Sequence, residues 1–157
     1  MKNSTLCYID DGKSYLMLHR TKKDEDPNKG KWIGVGGKFE DKESPDDCLV
    51  REVCEETGLT LTDYRLRGIV TFVSDVWETE YMYLYTADGY EGSLCDCNEG
   101  ELAWIAKDRI SGLTLWEGDR LFLDLIASDH PFFSLKLCYN GDHLVEAVLG
   151  REKLKLK

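Results

Sequence analysis

The sequence is poor in proline, contains no long apolar run, and has fewer basic than acidic residues. Three of its 157 residues are proline, 11% are aromatic and 42% are hydrophobic. Together with the missing apolar run, this composition excludes collagen-like, disordered and membrane-spanning chains. We find no repeat, linker or low-complexity segment. The chain is therefore expected to form a single domain over residues 1–157, large enough to bury about 70% of its surface.

The shortage of basic residues limits the class of partner. The 20 Lys and Arg residues face 30 Asp and Glu residues, which gives a net charge of -10. A field of that sign repels polyanions. We therefore expect no nucleic-acid polymer and no membrane surface as a partner, while the sequence leaves the oligomeric state open.

The cysteines show no zinc-binding spacing, and no apolar segment of a signal peptide follows Met1. The six cysteines are Cys7, Cys48, Cys54, Cys95, Cys97 and Cys138. The close pair Cys95 and Cys97 has no second cluster to complete a zinc site. The sequence thus predicts reduced thiols in a cytoplasmic protein.

The local patterns favour an α+β domain with a mixed sheet and about two helices. The predicted strands are 5–9, 14–18, 67–73, 80–85, 102–105, 132–139 and 143–148. The segment 10–13 and Asn140-Gly141 are typical of hairpin turns. The polar segment 21–30 has mixed charges and no apolar anchor, so we predict a solvated loop.

Two helices are predicted, and the first has clear boundaries. Ser44 can cap it, Pro45 suits its first position, and Gly58 suits a left-handed residue at its end. The second covers 118–128, with apolar residues at helical spacing.

The first helix has acidic residues grouped on one side. At about 100° per residue, Glu52, Glu55 and Glu56 lie within one arc. The side predicted to be buried holds Val50, Val53, Cys54 and Thr57. The three carboxylates could form a solvated face, but they repel one another and follow a glycine-rich turn. A hard divalent cation, Mg²⁺ or alternatively Mn²⁺, would explain them, since it prefers oxygen ligands and is shared with substrate phosphates.

The spacing around this helix resembles the Nudix box. Five residues separate Gly37 from Glu43, and seven more lead to Arg51-Glu52-Val53-Cys54-Glu55-Glu56-Thr57-Gly58-Leu59. The flanking elements are similar as well. The resemblance implies a Nudix hydrolase fold, in which a mixed β-sheet is sandwiched between helices and followed by a C-terminal β-hairpin.

The resemblance also implies roles for individual residues. The metal ligands would be the Gly36 carbonyl, Glu52, Glu55, Glu56 and a distal acid, Glu99 or alternatively Glu101. Arg51 and Glu43 would support the catalytic carboxylates, and Glu55 or Glu56 would accept the proton of an attacking water. Mg²⁺ or Mn²⁺ would be the cofactor.

Within the family, the chain resembles MutT-type 8-oxo-dGTP diphosphatases. The similar segments are 30–38 and Trp116-Glu117-Gly118-Asp119. This implies hydrolysis of a nucleoside triphosphate, such as an oxidised purine nucleotide, to the monophosphate and pyrophosphate. The implied substrate-binding residues are Arg20, Gly37 and Lys38 near the phosphates, Trp116 and Asp119 at the base, and Thr5 and Phe72 along the pocket.

Several alternatives stay open. Phe72 also fits a core position, and Trp116 also fits a hydrophobic staple. Trp32 and Trp104 fit packing roles. Ile33 stands where vertebrate enzymes of this type carry Asn, and a single acid, Asp119, stands where they place two adjacent acids. The base preference is therefore undetermined. ADP-ribose, a nucleotide sugar or a dinucleoside polyphosphate would fit the same box, as would a non-catalytic nucleotide sensor, although no box glutamate is missing.

Overall fold

The computed structural model describes residues 1–156, which form a mixed sheet with helices on both faces. The strands are β1 (Lys2–Asp10), β2 (Ser14–Arg20), β3 (Trp32–Ile33), β4 (Thr60–Ser74), β5 (Glu80–Glu91), β6 (Gly100–Ala106), β7 (Phe133–Asn140), β8 (His143–Leu149) and β9 (Glu152–Lys153). The helices are α1 (Pro45–Thr57), α2 (Asp119–Ala127) and a 3₁₀ helix (Lys107–Gly112). The predicted α+β class is confirmed.

The strand order is β3-β2-β1-β5-β4-β7-β8-β9, and β6 pairs with β2 outside this path. The β1–β5 and β4–β7 pairs are parallel, and the others are antiparallel. The sheet is therefore mixed, as predicted. Gly141 has a φ of 60° in the β7–β8 turn, so the C-terminal hairpin is also confirmed.

Alternating side chains of β1 point to two separate cores, which explains the sandwich. Cys7 and Ile9 pack with Leu49 and Val53 of α1. Their neighbours Leu6 and Tyr8 belong to the other core, together with Phe122 of α2 and several β4, β5 and β7 residues. Because successive strand residues face opposite ways, one strand supplies both cores.

The predicted ends of α1 are confirmed. Ser44 Oγ accepts a hydrogen bond from the Asp47 amide at 3.0 Å, and the Asp47 carboxylate accepts one from the Ser44 amide at 3.1 Å. This is a reciprocal capping box. Gly58 ends the helix with a φ of 83°, in the left-handed region where glycine carries no steric cost.

The predicted division of α1 into an acidic exposed face and an apolar buried face was wrong at two positions. Glu56 is buried and Cys54 is exposed. Val53 and Thr57 are buried as expected, and Val50 is half-buried. The reason is that α1 packs against the glycine-rich loop as well as the sheet, and Glu56 faces that loop.

The predictions for the start of β4 and for the segment 21–30 were also wrong. β4 begins at Thr60 rather than at residue 67, because its polar first half pairs with the far half of β5, Thr60 opposite Glu91. The segment 21–30 is not simply solvated, since Asp26 is buried within it. No helix among residues 1–156 is long and apolar enough to cross a bilayer.

Candidate active site

A cavity of about 480 Å³ lies between the glycine-rich loop, the segment 21–31, the β4–β5 turn and the start of α2. Its floor is the α2 side of the sheet. Its lining includes the following predicted site residues: Thr5, Arg20, Gly36, Gly37, Lys38, Glu52, Phe72, Glu99, Trp116 and Asp119. The fold thus places residues from seven separate parts of the chain around one space.

Arg51 organises the carboxylates at one end of this cavity. Its Nε lies 2.6 Å from Glu43, and its Nη1 lies 2.8 Å from Glu52 and 3.2 Å from Glu55. Its Nη2 also donates to the Lys38 carbonyl. The hydrogen bond from Arg51 lowers the pKa of Glu43 to about 2. One guanidinium therefore ties α1 to the glycine-rich loop and fixes three acidic side chains.

Gly37 leaves room for the carboxylate of Glu52. A Cβ at this position would lie 2.3 Å from the Glu52 carboxyl carbon. Gly36 is equally restricted, because a Cβ there would lie 2.0 Å from the Thr5 carbonyl oxygen. Burial raises the pKa of Glu52, although Arg51 opposes this. The two glycines thus allow the loop to approach both β1 and α1.

Glu56 and Glu99 form a pair of carboxyl groups, of which Glu56 is buried and Glu99 is half-buried. Glu56 is only 7% exposed, and its Oε1 accepts a hydrogen bond from the Gly36 amide at 2.9 Å. Burial, then the hydrogen bond with Glu99, raises the pKa of Glu56. Burial opposes ionisation of Glu99, but Glu56, Lys23 and Arg20 together lower its pKa. Glu99 thus disfavours an ionised Glu56, a cost that a bound cation would relieve.

This donor set fits a hard divalent cation. Glu52, Glu56 and Glu99 supply carboxylate oxygens beside the Gly36–Lys38 backbone. Within residues 1–156, no three His, Cys, Asp or Glu side chains are grouped closely enough to hold a metal ion by themselves. Mg²⁺ is commonly held by one or two carboxylates together with water and substrate phosphates, so such an open arrangement is suitable.

Two candidates lie away from this group. Glu55 has a 61% exposed side chain that contacts Arg51, so it is not directed at Glu56 and Glu99. Glu101 is exposed and pairs across the sheet with His19 of β2. Of the two distal acids considered from the sequence, Glu99 is the one that lies in the cavity wall.

Arg20 lines the cavity but is already paired with two carboxylates. It lies 2.7 Å from Asp26 and 2.7 Å from Glu99. The Asp26 side chain is 3% exposed and also accepts a hydrogen bond from the Asn28 amide. The expectation that segment 21–30 is a solvated loop was therefore wrong: an ion pair rather than an apolar side chain anchors it, which hydrophobic patterning does not reveal.

Trp116 forms an aromatic wall at the other end of the cavity. Its ring centroid is 5.1 Å from that of Phe72 and 4.9 Å from that of Tyr139. Its Nε1 donates to Asn28 at 2.8 Å, and the Lys31 ammonium lies 4.2 Å from its ring centroid. Lys31 is not part of the cavity lining, so the indole is held from behind. Phe72 and Trp116 both pack in the core and line the cavity.

Asp119 places a buried carboxyl group beside this aromatic wall. It is 5% exposed, and burial raises its pKa to about 8. Near neutral pH the group is therefore largely protonated and can both donate and accept hydrogen bonds.

The remaining predicted contacts are Thr5 and Lys38. The Thr5 hydroxyl lies 3.6 Å from Cys48 Sγ on the α1 side of the sheet, so its side chain does not form the cavity floor. Lys38 is exposed at the rim. Trp32 stacks on His19 at 4.5 Å and Trp104 packs near Tyr90 at 5.8 Å, as expected of packing residues.

Sequence reasoning missed several cavity residues: Lys2, Ser4, Asp26, Asn28, Trp77, Glu80 and Met82. The β-strand members could have been found from strand alternation only if the pairing register of β1 and β5 had been known. Asp26 and Asn28 lie in a loop, where no periodic pattern marks them.

Comparison with known proteins agrees with this geometry. A NUDIX domain profile matches residues 2–126. An uncharacterized Nudix hydrolase of Bacillus subtilis is 31% identical over 131 residues, covering 80% of this chain and 79% of its own. The oxidized purine nucleoside triphosphate hydrolase of Danio rerio is 32% identical over 119 residues, covering 74% and 76%. The chain belongs to the Nudix family and is a Nudix hydrolase.

A solved structure places it closer to one type within the family. The crystal structure of a MutT protein from Bacillus halodurans superposes with a TM-score of 0.85 at 26% identity, covering 95% of this chain and 97% of that one. The predicted Nudix fold and its MutT-type resemblance are therefore confirmed.

Proposed function

We propose that this protein is a divalent-metal-dependent nucleoside triphosphate diphosphatase that acts on oxidised purine nucleotides such as 8-oxo-dGTP. The observation that carries the proposal is the single cavity that joins an acidic end, lined by Glu52, Glu99 and Gly36, to an aromatic end with Trp116 and Asp119; the Gly36 amide binds the buried Glu56. Relatives from Danio rerio and Mus musculus are named oxidized purine nucleoside triphosphate hydrolases.

The acidic end would hold the cation and the phosphates. Glu52, Glu56 and Glu99 would hold Mg²⁺ or Mn²⁺ with the Gly36 carbonyl, and the ion would neutralise developing phosphate charge and acidify water. Gly37 and Lys38 would lie along the phosphates. Arg20 would reach them on exchanging one of its two carboxylate partners for a phosphate oxygen.

Hydrolysis then consumes one water molecule. The water oxygen attacks phosphorus, pyrophosphate leaves, and Glu55 or Glu56 accepts the water proton. Arg51 keeps Glu43, Glu52 and Glu55 in place during this step through charge-assisted hydrogen bonds.

The aromatic end would recognise the base. Trp116 offers an indole for stacking, a contact generally worth about 1–3 kcal/mol per base. Asp119, protonated near neutral pH, can donate one hydrogen bond to a purine edge and accept another. An oxidised purine differs from its parent in the donors and acceptors of that edge, so such a group can discriminate between them.

The proposal is tested by measuring pyrophosphate release from 8-oxo-dGTP and dGTP, and by chromatography of the nucleotide products formed from ADP-ribose and a dinucleoside polyphosphate under the same conditions. We expect Mg²⁺-dependent release and the highest kcat/KM for 8-oxo-dGTP. If no purine triphosphate yields pyrophosphate in Mg²⁺, the proposal is wrong, and a preference for ADP-ribose would identify the other substrate class.

A second experiment tests the acidic end. We expect Glu56→Gln to lower kcat by about 100-fold or more, because a buried carboxylate next to Gly36 and Glu99 is lost. Glu101→Gln is the matched control, since this glutamate is exposed and does not line the cavity. Equal activities of the two variants would exclude Glu56 from the catalytic site.

A further inference from the structure

The cavity floor is formed by alternating residues of three neighbouring strands. In the register of β1, β5 and β4, Lys2 is opposite Glu80, and Glu80 is opposite Phe72. One step further along, Ser4 is opposite Met82. All five of these residues line the cavity.

The register also fixes the position of this floor relative to the two ends of the site. Ser4 forms a bridge with Lys38, so the glycine-rich loop borders the floor on the β1 side. Phe72, on the β4 side, contacts Trp116 with a centroid distance of 5.1 Å. A nucleotide with its phosphates at Lys38 and its base at Trp116 must therefore carry its pentose across Ser4, Met82 and Glu80.

Glu80 is the acidic group of this middle section. Its Oε2 accepts a hydrogen bond from Ser4 Oγ at 2.6 Å. Among the residues that the structure describes, no Lys, Arg or His forms an ion pair with Glu80, and the neighbouring Lys2 instead lies 3.9 Å from Glu78. A carboxylate has about four acceptor positions, so capacity for further donors remains.

The chemistry of Glu80 selects the part of a nucleotide that it can face. A carboxylate repels phosphate, whereas it accepts hydrogen bonds from neutral hydroxyl groups. Trp77, 37% exposed in the β4–β5 turn, also lines the cavity.

We propose that Glu80, positioned by Ser4, is a specificity-determining residue that accepts a hydrogen bond from a pentose hydroxyl of the bound nucleotide. The inference rests on the function proposed above and adds sugar recognition to it. Glu80 acts in binding and takes no part in the hydrolytic step.

The test compares the ribo-, 2′-deoxy- and 2′,3′-dideoxy-triphosphates of one purine as substrates. In the wild type, removal of the recognised hydroxyl should lower kcat/KM by about 10-fold or more, the usual effect of losing a hydrogen bond to a charged group. The step at which the loss occurs identifies the hydroxyl: ribo to deoxy for the 2′ group, deoxy to dideoxy for the 3′ group.

In Glu80→Ala the ratio of kcat/KM between substrates with and without the recognised hydroxyl should fall close to 1. The main cause would be a higher KM for the hydroxyl-bearing substrates. If the alanine variant melts at a lower temperature than the wild type, Glu80→Gln, which keeps the side-chain size, replaces it in the test. In Glu80→Gln the same kcat/KM ratio should also fall. Glu91→Ala is the matched control, since it removes an exposed carboxylate from the opposite end of the same strand and should leave the discrimination unchanged.

The outcomes separate this inference from the proposed function. If the wild type hydrolyses all three substrates equally, or if kcat/KM of the Glu80 variants falls by the same factor for every substrate, sugar recognition by Glu80 is wrong while the proposed function stands. If the wild type releases no pyrophosphate from any of them, the proposed function itself is contradicted.

Discussion

Two acidic side chains of the site, Glu56 beside Gly36 and Asp119 in the cavity wall, are buried, and burial gives them unusual acidity. Both have a raised pKa, Asp119 to about 8, because ionisation would place a charge in a region with little water. The box spacing identified Glu56 as a candidate, and the resemblance of segment 116–119 to MutT-type enzymes identified Asp119. Their burial could not be inferred, since it depends on how α1 and α2 pack against the loops.

The raised pKa of Asp119 predicts a pH-dependent cost to stability. Between about pH 4 and pH 8 the folded protein keeps this proton while the unfolded chain loses it, so its contribution favours folding at low pH and falls as pH rises. The slope approaches about 1.4 kcal/mol per pH unit within this window. Asp119→Asn should remove this contribution, so the variant gains stability relative to the wild type as pH increases.

Urea denaturation at several pH values measures this difference. Asp124→Asn, an exposed position on the same helix, is the control and should follow the wild type at every pH. A constant difference in unfolding free energy between Asp119→Asn and the wild type would show that Asp119 is not protonated in the folded state.

Gly37 gives a second prediction at this scale. In Gly37→Ala the new methyl group would lie 2.3 Å from the Glu52 carboxyl carbon, and the flexible side chain, rather than the backbone, would move. We expect kcat to fall by about 10- to 100-fold, as for other small displacements of catalytic groups, with little change in melting temperature. Gly112→Ala is the control, because the methyl group there would meet open space. Equal kcat values for Gly37→Ala and Gly112→Ala would contradict the close contact between Gly37 and Glu52.

At the scale of the elements, helix α1 carries both its own start and stop signals and most of the acidic site. Ser44, Pro45 and Gly58 were recognised in the sequence because capping depends on neighbouring residues alone. Segment 21–31 is the opposite case. Its order comes from Arg20 with Asp26 and from Asn28 with Trp116, which are partners supplied by other parts of the fold.

The capping box predicts a measurable contribution to stability. Ser44→Ala removes the acceptor for the Asp47 amide and should lower the free energy of unfolding by about 1 kcal/mol. Chemical denaturation checks this, with Ser111→Ala as the control because that serine is exposed in the 3₁₀ helix. Equal denaturation midpoints for Ser44→Ala and Ser111→Ala would show that the capping box does not contribute to stability.

At the scale of the whole molecule, the net charge of -10 and the acidic site are related. The overall charge makes a nucleic-acid polymer an unfavourable partner, yet a bound divalent ion reverses the local field where phosphates would lie. Part of the acidic excess is thereby explained by Glu52 and Glu99 in the cavity wall and by Glu56 on the Gly36 amide.

This arrangement predicts that the metal alone stabilises the folded protein. With about 10 mM Mg²⁺ and a dissociation constant of about 1 mM, binding would add about 1.4 kcal/mol and raise Tm by about 2–4 °C. Calorimetry at constant ionic strength should show the shift in the wild type and in Glu101→Gln but not in Glu56→Gln. A shift that persists in Glu56→Gln would place the ion elsewhere.

The sequence by itself determined the α+β class, the limits of α1 and α2, the C-terminal hairpin and the set of box residues, since these depend on local spacing and turn chemistry. Only the tertiary structure decided which carboxylates are buried, that Glu99 rather than Glu101 lies in the cavity wall, and that Ser4 and Glu80 share its floor. The physical reason is that burial and pairing arise between residues far apart in the chain, where strand register and loop packing set the distances.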